Sequence, residues 1–429
     1  MIKITYSRDV DIAQIIKRRD KDQPDVSAAV APILADVKAR GDAAVKKCTA
    51  KFDGVSFDTL KVSRDEIDAA RDAVGTEFIE VLEAAAQNIR AFHEMQVRKG
   101  FEINDKPGIV LGQKFTPLEH VGIYVPGGTA PYPSTVLMDA IPAKVAGVDK
   151  IIMTTPPGKD AKIDDGILAA ASVAGITDIY KIGGAQAIAA MAYGTQTVPR
   201  VDKIVGPGNI YVATAKKLVY GVVDIDMIAG PSDILVVADD SANAVYVAAD
   251  MLGQSEHDIL AGAVLVTTSE ALAKNVNSEL KRQLAKLPRY EITKTSLKNN
   301  GRIIVAKDIS DAIDIANALA PEHLEVCVNE PFELLPKIKN AGSIFLGHYS
   351  PEALGDYFAG PNHTLPTAGT ARFYSPLSVD DFVKKSSYLS YTREALEQAG
   401  DKVIAFARRE QLDAHANSVA VRVAPDEVL

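Results

Sequence analysis

Residues 26 to 40 place Val26, Val30, Ile33, Leu34 and Val37 at helical spacing, and residues 64 to 97 continue the same apolar stripe over a longer stretch. Two amphipathic helices are expected there, within a mostly helical N-terminal region, 1–117. From about 118 the pattern changes to short β-branched runs, "VGIYV", "KIIMTT", "DIYKI", "DKIVG" and "DILVVAD", separated by Ala-rich segments long enough to be helices. That alternation predicts βαβ units and a parallel sheet, a first α/β unit over 118–255. After a helix-like stretch ending near Gln254, "AGAVLVTTS", "GRIIVA", "HLEVCV" and "GSIFLG" predict a second, smaller α/β unit over 256–380. Its last part, from 347, is rich in Gly, Pro, Asn and Ser. Residues 381–429 read as a helical tail carrying "AHANSVAVRV". The expected class is α/β: two Rossmann-like parallel-sheet units with a helical N-terminal region and a helical C-terminal tail.

Composition narrows the functional classes. At 429 residues with 47% hydrophobic positions the chain can bury a large core, and at about 100 to 200 residues per domain it should form two or three domains. The 47 basic residues stand against 56 acidic ones, a net charge of -9. There is no Lys/Arg block to track a phosphate backbone, so no nucleic-acid partner is expected. No apolar run approaches a membrane span, and the start "MIKITYSRDVDIAQ" lacks the layout of a signal peptide, so the expectation is a cytoplasmic protein with no membrane partner. Cysteine occurs only as Cys48 and Cys327. Any metal must therefore rest on His, carboxylate or amide ligands.

Parallel α/β sheets bind ligands where their strands end, which draws attention to the loops that follow them. "YVPGGTAPYPS", "KIGGAQAIAAMAYG" and "KIVGPGNIYVATAKKLV" each run from a strand through a glycine turn into a helix. Singly, each is best read as a tight turn. Three in succession favour a nucleotide-like ligand met by free N–H groups at helix starts. Of seven histidines, His93, His120 and His348 lack a polar partner at a telling spacing and are taken as structural or solvated. The other four lie in polar clusters: His257 three residues after Gln254, His323 beside Glu322, His363 seven after Asp356, and His415 near Glu410. Together they offer the N and O ligands a zinc ion accepts and the acid/base groups of a reaction. Cys327 is expected to be a small buried apolar residue.

The segments "IDMIAGPSDILVVADDSANAVYVAADMLGQSEHD", "APEHLEV", "GSIFLGHYSPEALGDYFAGPNHTLPTAGTARF" and "LDAHANSVAVRV" resemble histidinol dehydrogenase, over nearly the whole chain and least in the first hundred residues. The resemblance implies a cytoplasmic enzyme of histidine biosynthesis that oxidises L-histidinol through L-histidinaldehyde to L-histidine with two NAD+. It implies Zn2+ held by Gln254, His257, Asp356 and His415, and Glu322 and His323 as the acid/base pair. Substrate contacts would include Ser232, His363 and Glu410 besides the zinc ligands and His323, and NAD+ contacts Tyr124, Gln186 and Asn209. It also implies an intertwined homodimer in which the C-terminal tail reaches the partner's zinc. Asp233, Gly253 and Gln411 depart from the family's usual Glu, Ala or Ser, and Gly. Two other readings stay open here. One is a related dehydrogenase acting on another small alcohol such as sulfopropanediol; the other is a solute-binding protein that closes on its ligand without chemistry.

Overall fold

The computed structural model describes residues 2–13, 15, 24–127 and 131–424. It falls into two compact units, Met1–Gln96 with Leu118–Phe382, and Val97–Pro117 with Val383–Leu429. In chain order the strands are β1 (Ile4–Tyr6), β2 (Phe101–Ile103), β3 (Ile109–Pro117), β4 (His120–Tyr124), β5 (Lys150–Thr155), β6 (Asp178–Lys181), β7 (Lys203–Val205), β8 (Asp224–Ile225), β9 (Asp233–Ala238), β10 (Gly262–Thr267), β11 (Arg302–Val305), β12 (His323–Cys327), β13 (Ser343–Leu346) and β14 (Val383–Tyr391).

The first unit holds two parallel sheets. One has the order β6-β5-β4-β7-β8. From β4 the chain steps outward to β5 and β6, then returns to β7 on the other side. The winding therefore reverses between β4 and β7, and such a reversal opens a crevice at the carboxyl ends of the two strands. Both faces are covered. Ile151 and Met153 pack with Arg64–Glu94, Pro133–Val145 and Asp165–Ala174, while Ile152 and Ile204 pack with Ser27–Arg40, Gly184–Tyr193 and Ile210–Val219. The helix expected over 26–40 appears as Ser27–Arg40, burying Val30, Leu34 and Val37. The longer one starts at a capping box between Ser63 and Glu66, ends at Glu94, and is broken at Gly75, whose φ of 78° is not helical.

The other sheet of this unit has the order β1-β11-β10-β9-β12-β13, again all parallel. Along β9, Ile234 and Val236 face one apolar cluster, Leu235 and Val237 the other. The run 233–239, placed by its sequence in the first α/β unit, thus lies in the second sheet, and β1 joins that sheet from the N-terminal region. A strand buried on both faces is apolar throughout, so its sequence does not say which sheet it enters.

The second unit is built on the antiparallel sheet β14-β3-β2, with the helices Arg393–Arg409 and Asp413–Val423 following β14. Its strands come from what reads as a helical N-terminal region and from the first residues of the tail. All of β14 after Val383 is exposed, so the period of two that marks a half-buried strand is missing there. Among the described residues no helix is long and apolar enough to cross a membrane.

Candidate active site

β9 and β12 are neighbours in the six-stranded sheet, with His323 in register with Ile234. That brings Ser232 and Asp233, at the amino end of β9, beside Glu322 and His323 at the amino end of β12. The backbone N–H of Asp233 donates to Glu322 Oε2 (3.0 Å), and the N–H of Glu322 donates to Asp233 Oδ1 (3.1 Å). The two acids therefore hold each other's backbone across the strand pair. The chain enters the site from the helix Ile309–Leu319 through Ala320, whose φ of 47° is left-handed. Such a conformation costs a non-glycine residue roughly 1 to 2 kcal/mol. Pro321 then follows, and the turn delivers Glu322 into the interior.

Glu322 is 5% exposed, and burial pushes its carboxyl up to about 8. His323 is also buried. Its Nδ1 lies 3.1 Å from Gln254 Nε2, 3.3 Å from the Asp233 carbonyl and 3.7 Å from Glu352 Oε1. Its Nε2 stands 3.4 Å from Asp356 Oδ1 without completing a hydrogen bond. Burial alone would lower the imidazole's pKa, but the Glu352, Glu322 and Asp356 carboxylates outweigh it and raise it well above the usual value. This is an imidazole that takes a proton readily.

The remaining groups come from helix ends and the glycine-rich segment. Gln254 lies in the last turn of Ala244–Ser255, and its Oε1 is buried with no partner. His257 follows three residues on, half-buried; burial lowers its pKa, partly offset by the Asp356 charge. The imidazole is thus neutral at neutral pH, the state a metal requires. Asp356 lies on Glu352–Tyr357; burial would raise its pKa, but the neighbouring His323 holds it below the usual carboxylate range. His363 Nδ1–H donates to the Asp356 carbonyl (2.9 Å), which leaves Nε2 to accept from Thr135 Oγ1 (3.3 Å). An orphaned amide oxygen, a neutral imidazole and a carboxylate form a donor set that zinc accepts, so the residues fit the metal implied by the sequence.

Glu410 and His415 belong to the second unit. Glu410 follows Arg393–Arg409, His415 sits in Asp413–Val423, and both are exposed. The departures from the family pattern now have physical readings. Gln411 adopts a φ of 61°, the region that favours glycine. A Cβ at Gly253 would meet nothing within 4 Å, so no close packing demands glycine there. Asp233 provides the reciprocal clamp on Glu322.

Sequence reasoning missed Glu352. It is 6% exposed, burial pushes its carboxyl to about 7, and with His323 and Asp356 it forms a group whose candidate ligand atoms all lie within 4.8 Å of one another. The available signal was the i, i+4 pair Glu352 and Asp356 in "PEALGD", which puts both acids on one helix face. Cys327 is buried and its thiol pKa is pushed far up by burial, so it supplies no thiolate. His93 is fully buried beside Asn362, and burial lowers it to about 4.

The glycine loops gather at the carboxyl end of the five-stranded sheet, following β4, β6 and β7. Tyr124 is 3% exposed, and its Oη accepts from the N–H of Gly184 (3.1 Å), tying the first loop to the second. Gln186 is 1% exposed, and its Nε2 has no partner. Asn209 caps the helix Ile210–Val219 by accepting from the N–H groups of Tyr211 (3.0 Å) and Val212 (3.2 Å). Gly128, Thr129 and Ala130 of the first loop lie outside the described residues. The described candidate residues of the first unit thus fall in two polar regions. One is at the carboxyl ends of the first sheet, as expected; the other is at the amino ends of β9 and β12, opposite to the rule for strand ends.

Comparison with known proteins accords with this geometry. Residues 16–423 match the family model described as histidinol dehydrogenase. The chain is 56% identical to histidinol dehydrogenase of Clostridium acetobutylicum over 406 residues, covering 95% of this chain and 94% of that protein. It is 53% identical to that of Heliobacterium mobile over 425 residues, covering 99% and 100%. The crystal structure of histidinol dehydrogenase from Elizabethkingia anophelis superposes with a TM-score of 0.93 at 39% identity, covering 99% and 98%. With a family model spanning residues 16–423 and relatives more than half identical over nearly the full chain, the chain belongs to the histidinol dehydrogenase family and is an oxidoreductase.

Proposed function

We propose that this chain catalyses the NAD+-linked, four-electron oxidation of L-histidinol through L-histidinaldehyde to L-histidine, the last steps of histidine biosynthesis, as a cytoplasmic homodimer. The observation that carries the chemistry is the buried Glu322–His323 pair, clamped by Asp233, with His323 Nδ1 3.1 Å from Gln254 Nε2. The reading also draws on the family membership.

Each oxidation removes a hydride to NAD+ and a proton to the protein. His323, once it has given up its own proton, takes the hydroxyl proton as the hydride departs, and the surrounding carboxylates, which raise its pKa, stabilise the imidazolium that forms. The aldehyde must then gain water before a second hydride can leave. Glu322, next to His323, takes a proton from that water and so delivers hydroxide to the carbonyl carbon. Ser232, His363 and Glu410 hold the substrate. Gln254, His257, Asp356 and His415 would hold a zinc ion, which when bound orients the substrate's amine and imidazole nitrogens. Tyr124, Gln186 and Asn209, in the loops and helix starts at the carboxyl end of the first sheet, would contact NAD+ there. His415 and Glu410, exposed on the second unit, serve the partner subunit's site.

Glu322→Gln should slow aldehyde oxidation by about 100- to 10,000-fold, the range for removing a general base, while alcohol oxidation falls far less. Because burial sets Glu322 at about 8, aldehyde oxidation by the unaltered enzyme should still rise as pH climbs from 7 toward 8, and the variant should lose that limb. Rates with histidinol and histidinaldehyde as separate substrates check both; equal losses would refute the assignment. The substrate itself is tested by following NADH with histidinol and with sulfopropanediol in parallel. Turnover of sulfopropanediol but not histidinol would overturn the proposed function.

A further inference from the structure

A buried charged cluster lies beneath the third glycine loop and takes no part in the chemistry above. Lys216, on Ile210–Val219, is 2% exposed and pairs with the Asp226 carboxylate. Lys216 Nζ donates to the carbonyl of Gly206 (2.8 Å), and Asp226 Oδ2 accepts from the N–H of the same residue (2.8 Å). Both backbone groups of Gly206 are thus held by one ion pair. The loop is pressed onto the end of β4: a Cβ at Gly206 would come within 2.1 Å of the Tyr124 carbonyl oxygen and 3.0 Å of Asp139 Oδ2, and its φ of 110° also demands glycine.

Asp139, fully buried on Pro133–Val145, lies between this cluster and the other polar region, packed closely against Gly206 on one side. Its Oδ1 accepts from Thr364 Oγ1 (2.8 Å), and its Oδ2 has no partner. The same helix meets the segment 362–364 twice more, where Asn362 Nδ2 donates to the Met138 carbonyl (2.6 Å) and Thr135 Oγ1 meets His363 Nε2. Burial and the nearby Asp226 charge push Asp139 to about 8, so it is mostly uncharged at neutral pH and Lys216 balances Asp226 alone.

We propose that Asp139 and the Lys216–Asp226 pair are positioning residues: the pair fixes the Gly206 peptide for the dinucleotide, and Asp139 ties that loop to the segment carrying His363, so that one buried cluster sets both ligand pockets. The inference rests on the reading that the glycine loops take NAD+. It goes beyond that reading in assigning roles to three residues that touch neither ligand.

The test uses the zinc-loaded enzyme, with NADH affinity read by fluorescence titration and histidinol affinity by calorimetry. Lys216→Met combined with Asp226→Leu removes both charges and avoids stranding one in the core. It should weaken NADH by about tenfold and leave histidinol within about twofold, as expected for lost buried hydrogen bonds. Asp139→Ala should weaken both ligands by about tenfold, and Asp139→Asn, which keeps the acceptor for Thr364 without a charge, should restore both to within about twofold. Gln186→Ala reports on the dinucleotide site itself. If it weakens NADH while Asp139→Ala lowers the melting temperature and leaves both affinities unchanged, the cluster is merely structural and the proposal fails, with the dinucleotide reading intact. If Gln186→Ala leaves NADH unchanged, the dinucleotide lies elsewhere and both readings fall. Should the double variant not fold, the Asp139 pair decides alone.

Discussion

His257→Asn will lose its zinc, with affinity falling by at least about 100-fold, and turnover will fall with the metal. The expectation follows from position and charge. Gln254 and His257 leave the same helix end three residues apart, the Gln254 Oε1 is buried without a partner, and burial keeps the His257 imidazole neutral beside the Asp356 carboxylate. Chelation of the unaltered enzyme should likewise abolish turnover, and added Zn2+ should restore it. Metal content by elemental analysis, measured alongside NADH formation, decides the matter. Full activity in a preparation free of metal would remove zinc from the account.

Two inactive variants, His257→Asn and His415→Asn, should rescue each other when unfolded together and refolded as a mixture. His257 lies in the first unit with Gln254, Glu322, His323 and Asp356, whereas His415 is exposed on the second, and the proposal assigns it to the neighbouring subunit. Random pairing makes about half the dimers mixed. Each mixed dimer has one doubly damaged site and one intact site, so roughly a quarter of the original activity should return. If each site drew all its ligands from one chain, no pairing could restore any. A sample that stays inactive, with heterodimers verified by differential tagging, would place His415 in its own subunit's site.

The apolar runs from "VGIYV" to "GSIFLG" were legible as strands because a strand buried on both faces leaves a continuous signature that no surface segment imitates. What they did not carry was partnership. β1 pairs with β11 across some 300 positions of sequence, and β9 leaves the sheet nearest in sequence for the next. The antiparallel sheet was hidden for the opposite reason, since β14 exposes nearly every residue. At the site, Glu322 and His323 stood out by adjacency and Gln254 and His257 by spacing. The clamp between Asp233 and Glu322 spans 89 positions, and only the β9–β12 pairing creates it. The amino-end location of the pair was likewise illegible, because whether a ligand faces the start or the end of a strand depends on the layers around it.

Central to the proposed function is that this enzyme carries L-histidinol through both oxidations to L-histidine. It is tested most directly by letting a limiting amount of L-histidinol react to completion with excess NAD+ and measuring NADH and L-histidine together. The account predicts two NADH formed for each histidinol consumed, with L-histidine as the product and no aldehyde accumulating. One NADH per histidinol with free aldehyde in solution, or no NADH at all, would contradict it.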